Sequence, residues 1–370
     1  MQQKDSRRVH FYWLDAIRFI AAFMVLLSHS RNTFFPAFGD LPANQHNIFA
    51  MAFTMFCRMG HEAVIVFFVL SGFLVGGMGL ERISKGNINI KDYAISRVSR
   101  IYPPLLMSVF FYYVTSLVIS GTPYSWDVAI GNIFNLQGIC CKSLVSPYWS
   151  LSYEVWFYII FGALAVSIMA KSNRGKYVGF TMFVASVSVF VLGLKMHYLL
   201  IWMMGALAYI IRPKKKSRKI LIASFVCFFS MVVLYQFSKE SHSLEFAIKS
   251  TNKELIELVM SLMACLFIQQ AILFEPKGKV SVIAERILGK MAQFSYTLYL
   301  SHRIVFLWII AYILPKTSCQ FTLVGIANYI LIIIISLVSC WLLYLISEKH
   351  SSKVKMYLKK KCIVVKSEKK

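Results

Sequence analysis

One apolar stretch of the chain carries three ionisable side chains. Residues 12–31 read YWLDAIRFIAAFMVLLSHSR and include Asp15, Arg18 and His29. Ionisable groups inside a membrane-spanning helix are costly, so each of the three is a candidate functional residue. A guanidinium binds anions and an imidazole exchanges protons near neutral pH, and enzyme sites use both kinds of chemistry.

The spacing of these residues places them on one helix face. At about 100° per residue, Arg18 and His29 lie within roughly 20° of each other, and Asp15 falls on nearly the same face. A rise of about 16 Å separates the cation from the imidazole, so they would point toward opposite membrane surfaces. The small side chains of Ala22 and Val25 lie between them. The alternative is an Asp15–Arg18 pair at one membrane surface and a His29 that only ends the span.

Four later stretches contain the other candidate residues. They read GHEAVIVFFVLSGFLVG (60–76), RVSRIYPP (97–104), SPYWSLSYEVWFY (146–158) and SYTLYLSHRIV (295–305). Helix rise counted from the predicted span ends places Glu154 and His302 at a depth similar to that of His29. These three side chains would form an active site if their helices are neighbours.

The composition is that of a polytopic membrane protein. Hydrophobic residues make up 58% of the 370 and charged residues only 15%, unlike a soluble domain. The net charge of +24 would suit a nucleic-acid-binding protein, but Lys and Arg cluster between the apolar segments. We therefore expect membrane lipids, and not nucleic acid, among the partners. The eight cysteines show neither a disulfide framework nor the spacing of metal ligands.

The chain divides into ten apolar segments, each about the 20 residues that cross a bilayer once. They lie near residues 12–31, 50–80, 102–120, 147–170, 177–194, 196–211, 219–237, 255–274, 290–314 and 322–346. The second segment is long and is expected to be tilted or broken at Gly60. The fifth and sixth are separated only by Lys195, which suggests a tight hairpin.

Charge sets the expected orientation. Lys and Arg concentrate in alternate connections, which predicts that both termini are cytoplasmic. Residues 1–348 then form an all-α membrane domain of about ten spans, and 349–370 form a basic cytoplasmic tail. That tail either lies against anionic lipid headgroups or is a solvated end. Residues 238–254 are the main polar segment on the opposite side of the membrane.

Together with LDAIRFIAAFMVLLSH (14–29), the four stretches resemble the acyltransferase type 3 family of membrane acyltransferases. The resemblance implies a ten-span fold that moves an acyl group, usually acetyl, from cytoplasmic acyl-CoA, without a metal. It implies an acceptor hydroxyl on a cell-envelope carbohydrate, such as O-antigen or exopolysaccharide, and a place in the bacterial inner membrane. Some members carry an appended periplasmic domain, and this chain resembles the stand-alone form.

The resemblance also implies roles for the charged residues. His29 is the expected general base, and Arg18 faces the thioester or the pantetheine arm. Arg97 and Arg100 match an Arg-x-x-Arg element assigned to the CoA phosphates, although a juxtamembrane Arg pair can also be only a membrane anchor. Either the acceptor attacks the thioester directly or the acyl group passes through acyl-His29.

Further side chains of these stretches have expected supporting roles. Glu154 is expected to orient His29 or to bind sugar hydroxyls, with structural pairing to Arg303 or Lys142 as the alternative. His302 is either catalytic or a core hydrogen-bonding residue. The remaining supporting residues are Asp15, Trp149, Ser152 and Tyr153, and Trp149 is expected to pack at the interface rather than to contact substrate. Ser71 has no base nearby in sequence and is rejected as a nucleophile.

A different class of protein also fits the intramembrane charges. In a non-enzymatic carrier or flippase for a glycan or a lipid-linked precursor, they would line a transport path. Acidic and basic side chains at one depth in the membrane favour an enzyme instead. Consumption of acyl-CoA by membranes that contain the protein, without any transmembrane gradient, would identify an enzyme. For the enzyme we expect a narrow inner tunnel beside Arg18, joined to a wider outer cleft at His29. The tunnel wall would include Ala22, Val25 and parts of the second and fourth spans.

Overall fold

The computed structural model describes residues 12–122, 124–237, 253–274 and 279–367, and these form an all-α bundle. The first helices are α1 (Tyr12–Phe34), α2 (Ile48–Cys57), α3 (Gly60–Ser71), α4 (Met78–Ser84), α5 (Ile90–Ser120), α6 (Trp126–Ile133), α7 (Tyr148–Met169) and α8 (Asn173–Gly193). They are followed by α9 (Met196–Ile210), α10 (Arg218–Phe237), α11 (Lys253–Ala271), α12 (Lys279–Ala292), α13 (Ser295–Tyr312), α14 (Leu323–Ile346) and α15 (Ser351–Ser367). A π-helical segment, Gly72–Gly77, joins α3 to α4.

The helices confirm a polytopic membrane fold. Within the described ranges, eight helical segments are long and apolar enough to span a membrane. A ninth candidate is the pair α12 and α13, which is bent by 60°. The apolar helix α9 is shorter. Each of the ten predicted spans therefore coincides with a helix or with consecutive helices, whereas most of the predicted polar segment 238–254 lies outside the described residues.

The second predicted span is broken just before Gly60, as expected. Helix α2 ends at Cys57 and α3 begins at Gly60, where α3 passes close to α1. A Cβ atom at Gly60 would lie 2.6 Å from the Cβ of Ser28, so only glycine fits at this crossing. The break places the first turn of α3 beside the last turns of α1, which carry His29.

The predicted loop before the third span is mostly helix. Helix α5 begins at Ile90, because the side chain of Asn89 accepts a hydrogen bond from the backbone N–H of Asp92 at 3.1 Å. Arg97 and Arg100 therefore lie on α5 and not in a loop, three residues apart on one helix face. The predicted third span begins at residue 102, twelve residues after the helix does, and Pro103 and Pro104 lie inside α5.

The predicted hairpin of the fifth and sixth spans is wrong. Helix α8 packs mainly against α7, whereas α9 packs against α3, the π segment and α11. Lys195 between them has an extended backbone, and its N–H donates to the Tyr153 hydroxyl at 3.1 Å. This bond sends the chain from the α7–α8 pair toward α3 instead of folding it back on α8.

The basic tail forms a helix that docks on the bundle. Helix α15 packs against α5. Lys359 Nζ lies 2.9 Å from Asp92 Oδ1, and Lys355 Nζ donates to Ser96 Oγ at 3.1 Å. The docked tail therefore adds positive charge beside the helix that carries Arg97 and Arg100.

Candidate active site

A cavity of about 140 Å³ collects three arginines from two helices. Arg18 of α1 faces Arg97 and Arg100 of α5, and we call this space the arginine cavity. Arg18 Nη1 lies 2.8 Å from Asp15 Oδ1, which confirms the predicted ion pair. The guanidinium of Arg97 stacks 5.3 Å from the ring centroid of Tyr158. Three guanidinium groups around one cavity provide the donors that phosphate or thioester oxygens need.

One wall of the arginine cavity is apolar. It consists of side chains of α3 and the π segment: Val64, Phe67, Phe68, Leu70, Leu74 and Val75. A lining that combines guanidinium groups with apolar side chains suits a ligand with an anionic head and a flexible, weakly polar arm.

Glu154 belongs to the arginine cavity and not to the surroundings of His29. Its carboxylate accepts a hydrogen bond from the Tyr158 hydroxyl, which also lies 3.1 Å from Ser71 Oγ. Glu154 interacts electrostatically with Arg18 and Arg100. It is therefore a counter-charge that holds the arginine cluster, and the alternative pairing with Arg303 or Lys142 is not seen in the contacts of these side chains.

A second cavity, of about 310 Å³, contains His29. We call it the histidine cavity. Its polar wall is formed by α1, the α2–α3 connection and the start of α3, with Ser28, His29, Asn32, Arg58 and His61. Trp149 of α7 lies opposite. Val25 and Val64 are the aliphatic side chains of its lining.

The hydrogen bonds of His302 determine the tautomer of His29. His302 is fully buried, and its charged neighbour Arg303 is a cation, so a second positive charge here would be costly. His302 Nδ1 lies 2.8 Å from the carbonyl oxygen of Leu298, which can only accept, so Nδ1 carries the proton. The neutral ring then has a lone pair on Nε2, and His29 Nδ1, at 2.7 Å, donates to it. His29 Nε2 is left as the basic nitrogen.

The last turn of α1 is held by a second contact with α13. Arg303 Nη1 donates to Thr33 Oγ1 at 2.8 Å, and Thr33 Oγ1 donates to the carbonyl oxygen of His29 at 2.7 Å. The two imidazole rings are nearly parallel, with 13° between their planes. His29 is therefore fixed in position and in tautomer by α13, which is the arrangement that a general base needs.

The two cavities adjoin at Val64 and Tyr299. Both residues line the arginine cavity and the histidine cavity. The Tyr299 hydroxyl is held by Ser150 Oγ at 2.5 Å and by the carbonyl oxygen of Pro147 at 3.2 Å. Arg18 and Val25 of the predicted tunnel face line one cavity each, but Ala22 lines neither, because it is buried in the packing of α1.

Comparison with known families identifies the chain. A family model described as an acyltransferase domain matches residues 11–345, nearly the whole sequence. The chain belongs to the acyltransferase type 3 family. No curated protein and no solved structure matches it significantly. Family membership and the apolar helices together make the protein a multi-pass membrane acyltransferase, and they favour an enzyme over the carrier or flippase.

The structure of this acyltransferase separates the expected supporting residues into two groups. Trp149 lines the histidine cavity. Ser152 and Tyr153 line neither cavity. Ser152 Oγ donates to the carbonyl oxygen of Asn135 at 2.9 Å, and the Tyr153 hydroxyl binds the Lys195 backbone. Both hydrogen bonds join α7 to neighbouring parts of the chain.

Sequence reasoning missed several residues of the acyltransferase site. His61 lines the histidine cavity, and its Nε2 lies 2.9 Å from Glu257 Oε1 on α11. Glu348 accepts hydrogen bonds from the backbone N–H and the hydroxyl of Thr297 at 3.0 and 2.8 Å, and it interacts electrostatically with Arg100. Glu257 could have been identified from the sequence, because any acidic residue within an apolar span is a candidate functional residue.

No group of three or more His, Cys, Asp or Glu side chains in the described ranges is arranged to hold a metal ion. The polar chemistry described for the acyltransferase comes from arginine, histidine, glutamate and tyrosine side chains.

Proposed function

We propose that this acyltransferase moves an acetyl group from cytoplasmic acetyl-CoA to a hydroxyl of a cell-envelope carbohydrate, such as O-antigen or exopolysaccharide. We place it in the inner membrane of a bacterium, with both termini cytoplasmic. The observation that carries the proposal is His29 Nε2, a basic nitrogen in a cavity that adjoins the arginine cavity.

The arginine cavity is the proposed entrance for acyl-CoA. Arg97 and Arg100 bind CoA phosphates, and the pantetheine arm runs past Arg18 along the apolar wall. A cavity of about 140 Å³ holds part of such an arm, so the nucleotide remains outside the bundle. The lysines of the docked helix α15 lie on the same side of α5 as Ser96 and add to the positive charge at this entrance.

The proposed reaction is a direct attack at the junction of the two cavities. The acceptor hydroxyl lies in the histidine cavity and gives its proton to His29 Nε2 as its oxygen attacks the thioester carbon. A C–O bond forms and the C–S bond breaks, so that the acyl group leaves with the acceptor oxygen. The CoA thiolate takes up the proton, and free CoA and the ester are the products. His302 accepts the hydrogen bond of His29 Nδ1 throughout and so keeps Nε2 as the nitrogen that takes the proton.

The function is tested with the purified full-length protein in lipid vesicles. Acetyl-CoA labelled in the acetyl group is added with deacetylated envelope glycan from a producing strain. We expect label in the glycan as an ester that mild alkali releases, with one free CoA formed for each ester. Movement of glycan across the vesicle membrane without consumption of acetyl-CoA would support a carrier and overturn the proposal.

A further inference from the structure

The histidine cavity contains a second imidazole that the proposed reaction does not use. His61, on the first turn of α3, has a side chain that is 26% exposed to this cavity. Its Nε2 lies 2.9 Å from Glu257 Oε1, whose side chain is only 6% exposed. Because a carboxylate only accepts, Nε2 carries the proton, and Nδ1 is the nitrogen that Glu257 does not occupy.

The ring of His61 lies nearly parallel to two neighbouring aromatic rings. Trp149 lies on one side, with ring centroids 6.1 Å apart and 19° between the planes, and Tyr235 lies at 5.8 Å and 16°. The Tyr235 hydroxyl also donates to Glu257 Oε1 at 2.9 Å. His197 Nε2 lies 3.0 Å from Glu257 Oε2, although off the line of a hydrogen bond. Side chains of α7, α10 and α11 therefore hold one imidazole at the cavity wall, and His197 makes no hydrogen bond in this cluster.

This arrangement exceeds what helix packing requires. Buried polar groups inside a membrane bundle are costly, and a network that serves packing alone gains nothing from a ring exposed to a cavity. An imidazole with Nε2 fixed by a carboxylate accepts a hydrogen bond at Nδ1 from a hydroxyl, or donates one to a hydroxyl oxygen when it is protonated. The aromatic face of Trp149 beside it suits the C–H face of a sugar ring.

We propose that His61, positioned by Glu257, binds a second hydroxyl of the acceptor while His29 deprotonates the first. The inference rests on the proposed function and adds a specificity to it: the histidine cavity selects acceptors that carry two hydroxyl groups. Its volume of about 310 Å³ is enough for one sugar-sized molecule.

The test compares small alcohols as probes with the full-length protein in lipid vesicles. Acetyl transfer from labelled acetyl-CoA is measured to ethanol and to glycerol at equal hydroxyl concentration. A site built to bind a second hydroxyl rejects an alcohol that lacks it, so the wild type should prefer glycerol by at least about tenfold. In His61→Phe, which keeps the stacking between Trp149 and Tyr235, the preference should fall to within about twofold.

Two further variants separate binding from structural support. Glu257→Gln keeps an acceptor for His61 Nε2 and should retain more of the glycerol preference than Glu257→Leu does. His197→Phe is the matched control, because His197 lies in the same cluster but lines neither cavity. It should leave the preference unchanged even where it lowers the total rate. A purely structural cluster would lower transfer to ethanol and to glycerol equally in all of these variants.

A measurement on the wild type does not depend on the folding of any variant. Glycerol, but not ethanol, should protect the His61 side chain from modification by diethyl pyrocarbonate. The extent of modification is measured by mass spectrometry of the peptide that contains His61. His46, on an exposed segment, gives the control for reagent activity. His29-dependent transfer without glycerol preference or protection would overturn this inference and leave the proposed function standing. Absence of transfer to any alcohol or glycan would overturn both.

Discussion

His302 decides which nitrogen of His29 is available for catalysis. His302 Nδ1 donates its proton to the carbonyl oxygen of Leu298, so His302 Nε2 must accept a hydrogen bond from His29 Nδ1. Catalysis and core hydrogen bonding were the alternatives from the sequence, and the structure shows the hydrogen bonds. His302 is a positioning residue, because it touches His29 and lines neither cavity.

Replacing His302 should therefore affect turnover and not donor binding. We expect His302→Leu to lower kcat by roughly one hundredfold, within the range that general-base catalysis contributes, with the KM for acetyl-CoA unchanged. His302→Gln can still accept a hydrogen bond from His29 Nδ1 and should recover part of the loss. Steady-state kinetics of the wild type and the two variants test this expectation. A raised KM for acetyl-CoA with an unchanged kcat would contradict the positioning role of His302.

Replacing Arg97 or Arg100 should weaken the binding of acetyl-CoA and leave the binding of the acceptor unchanged. Arg97→Ala and Arg100→Ala should each raise the KM for acetyl-CoA by about tenfold, and Lys at either position should restore it only in part, because an ammonium cannot bind phosphate bidentately. Arg82→Ala, at an exposed position of α4, is the control. A residue that serves only as a membrane anchor would tolerate Lys fully, so complete rescue or unchanged CoA binding would refute the role.

At the scale of helices, α3 forms the partition between the two cavities. Val64 lines both of them, and the next residue, Ile65, is equally well buried but lines neither. The position first expected to control passage, Ala22, lies inside the packing of α1, so added bulk there would disturb the fold before it blocked a channel.

A larger side chain at Val64 should close the junction. We expect Val64→Phe to abolish acetyl transfer while binding of acetyl-CoA at the arginine cavity stays within about threefold of the wild type. Ile65→Phe is the matched control, with the same general overpacking cost of about 1–3 kcal/mol and no effect on the junction. Equal transfer rates in the two variants, in well-folded samples, would show that the acyl group does not pass at Val64.

The π segment lets α3 approach α9 more closely than side chains would allow. A Cβ atom at Gly72 would overlap the carbonyl oxygen of Trp202, and one at Gly205 would overlap that of Val69. The crossing holds Ser71 in the arginine cavity, where Trp202 Nε1 donates to its hydroxyl at 3.2 Å.

This crossing should not tolerate a methyl group. Gly72→Ala should destabilise the protein by about 2 kcal/mol or more, because backbone atoms must move to admit the new Cβ. Gly289→Ala on α12, where no atom lies within 4 Å of an added Cβ, should leave the thermal midpoint unchanged or slightly raised. The midpoints of the purified variants in detergent test both. Equal midpoints for Gly72→Ala and the wild type would contradict the tight crossing.

Local patterns were sufficient for some elements and not for others. Hydropathy located all ten apolar segments, and the glycine at the second one marked its break. Hydropathy did not show that α5 begins at Ile90, because the first turns of this helix carry charged residues and the Asn89 cap is a single residue within a polar stretch. The Asp15–Arg18 pair followed from spacing alone, since both partners lie on one helix.

At the scale of the molecule, the site depends on which helices are neighbours, and one sequence does not contain that information. Equal depth suggested that His29, Glu154 and His302 meet. Only the two histidines do, because α13 lies against the end of α1, while Glu154 of α7 points to the arginines. The His61–Glu257 contact joins residues 196 positions apart and likewise could not be predicted from spacing along the chain.

Charge distribution predicts the orientation of the whole bundle. Two exposed native cysteines report it: Cys140, in the connection before α7, and Cys362, on the docked helix α15. In sealed right-side-out membranes an impermeant maleimide should label Cys140, and should label Cys362 only after permeabilisation. Cys140→Ser and Cys362→Ser assign the two signals. Labelling of Cys362 in sealed membranes would place the arginine cavity on the wrong side for cytoplasmic acyl-CoA.

The central claim is that His29 Nε2 deprotonates the acceptor, and single-turnover transfer tests it most directly. Saturating labelled acetyl-CoA is bound to the protein in vesicles, glycan acceptor is added, and the rate of ester formation is compared with that of His29→Ala. We predict a rate at least about one hundredfold lower in the variant, with acetyl-CoA binding and thermal midpoint as in the wild type and with no loss in His46→Ala. A well-folded His29→Ala protein that transfers acetyl within a few-fold of the wild-type rate would contradict the account.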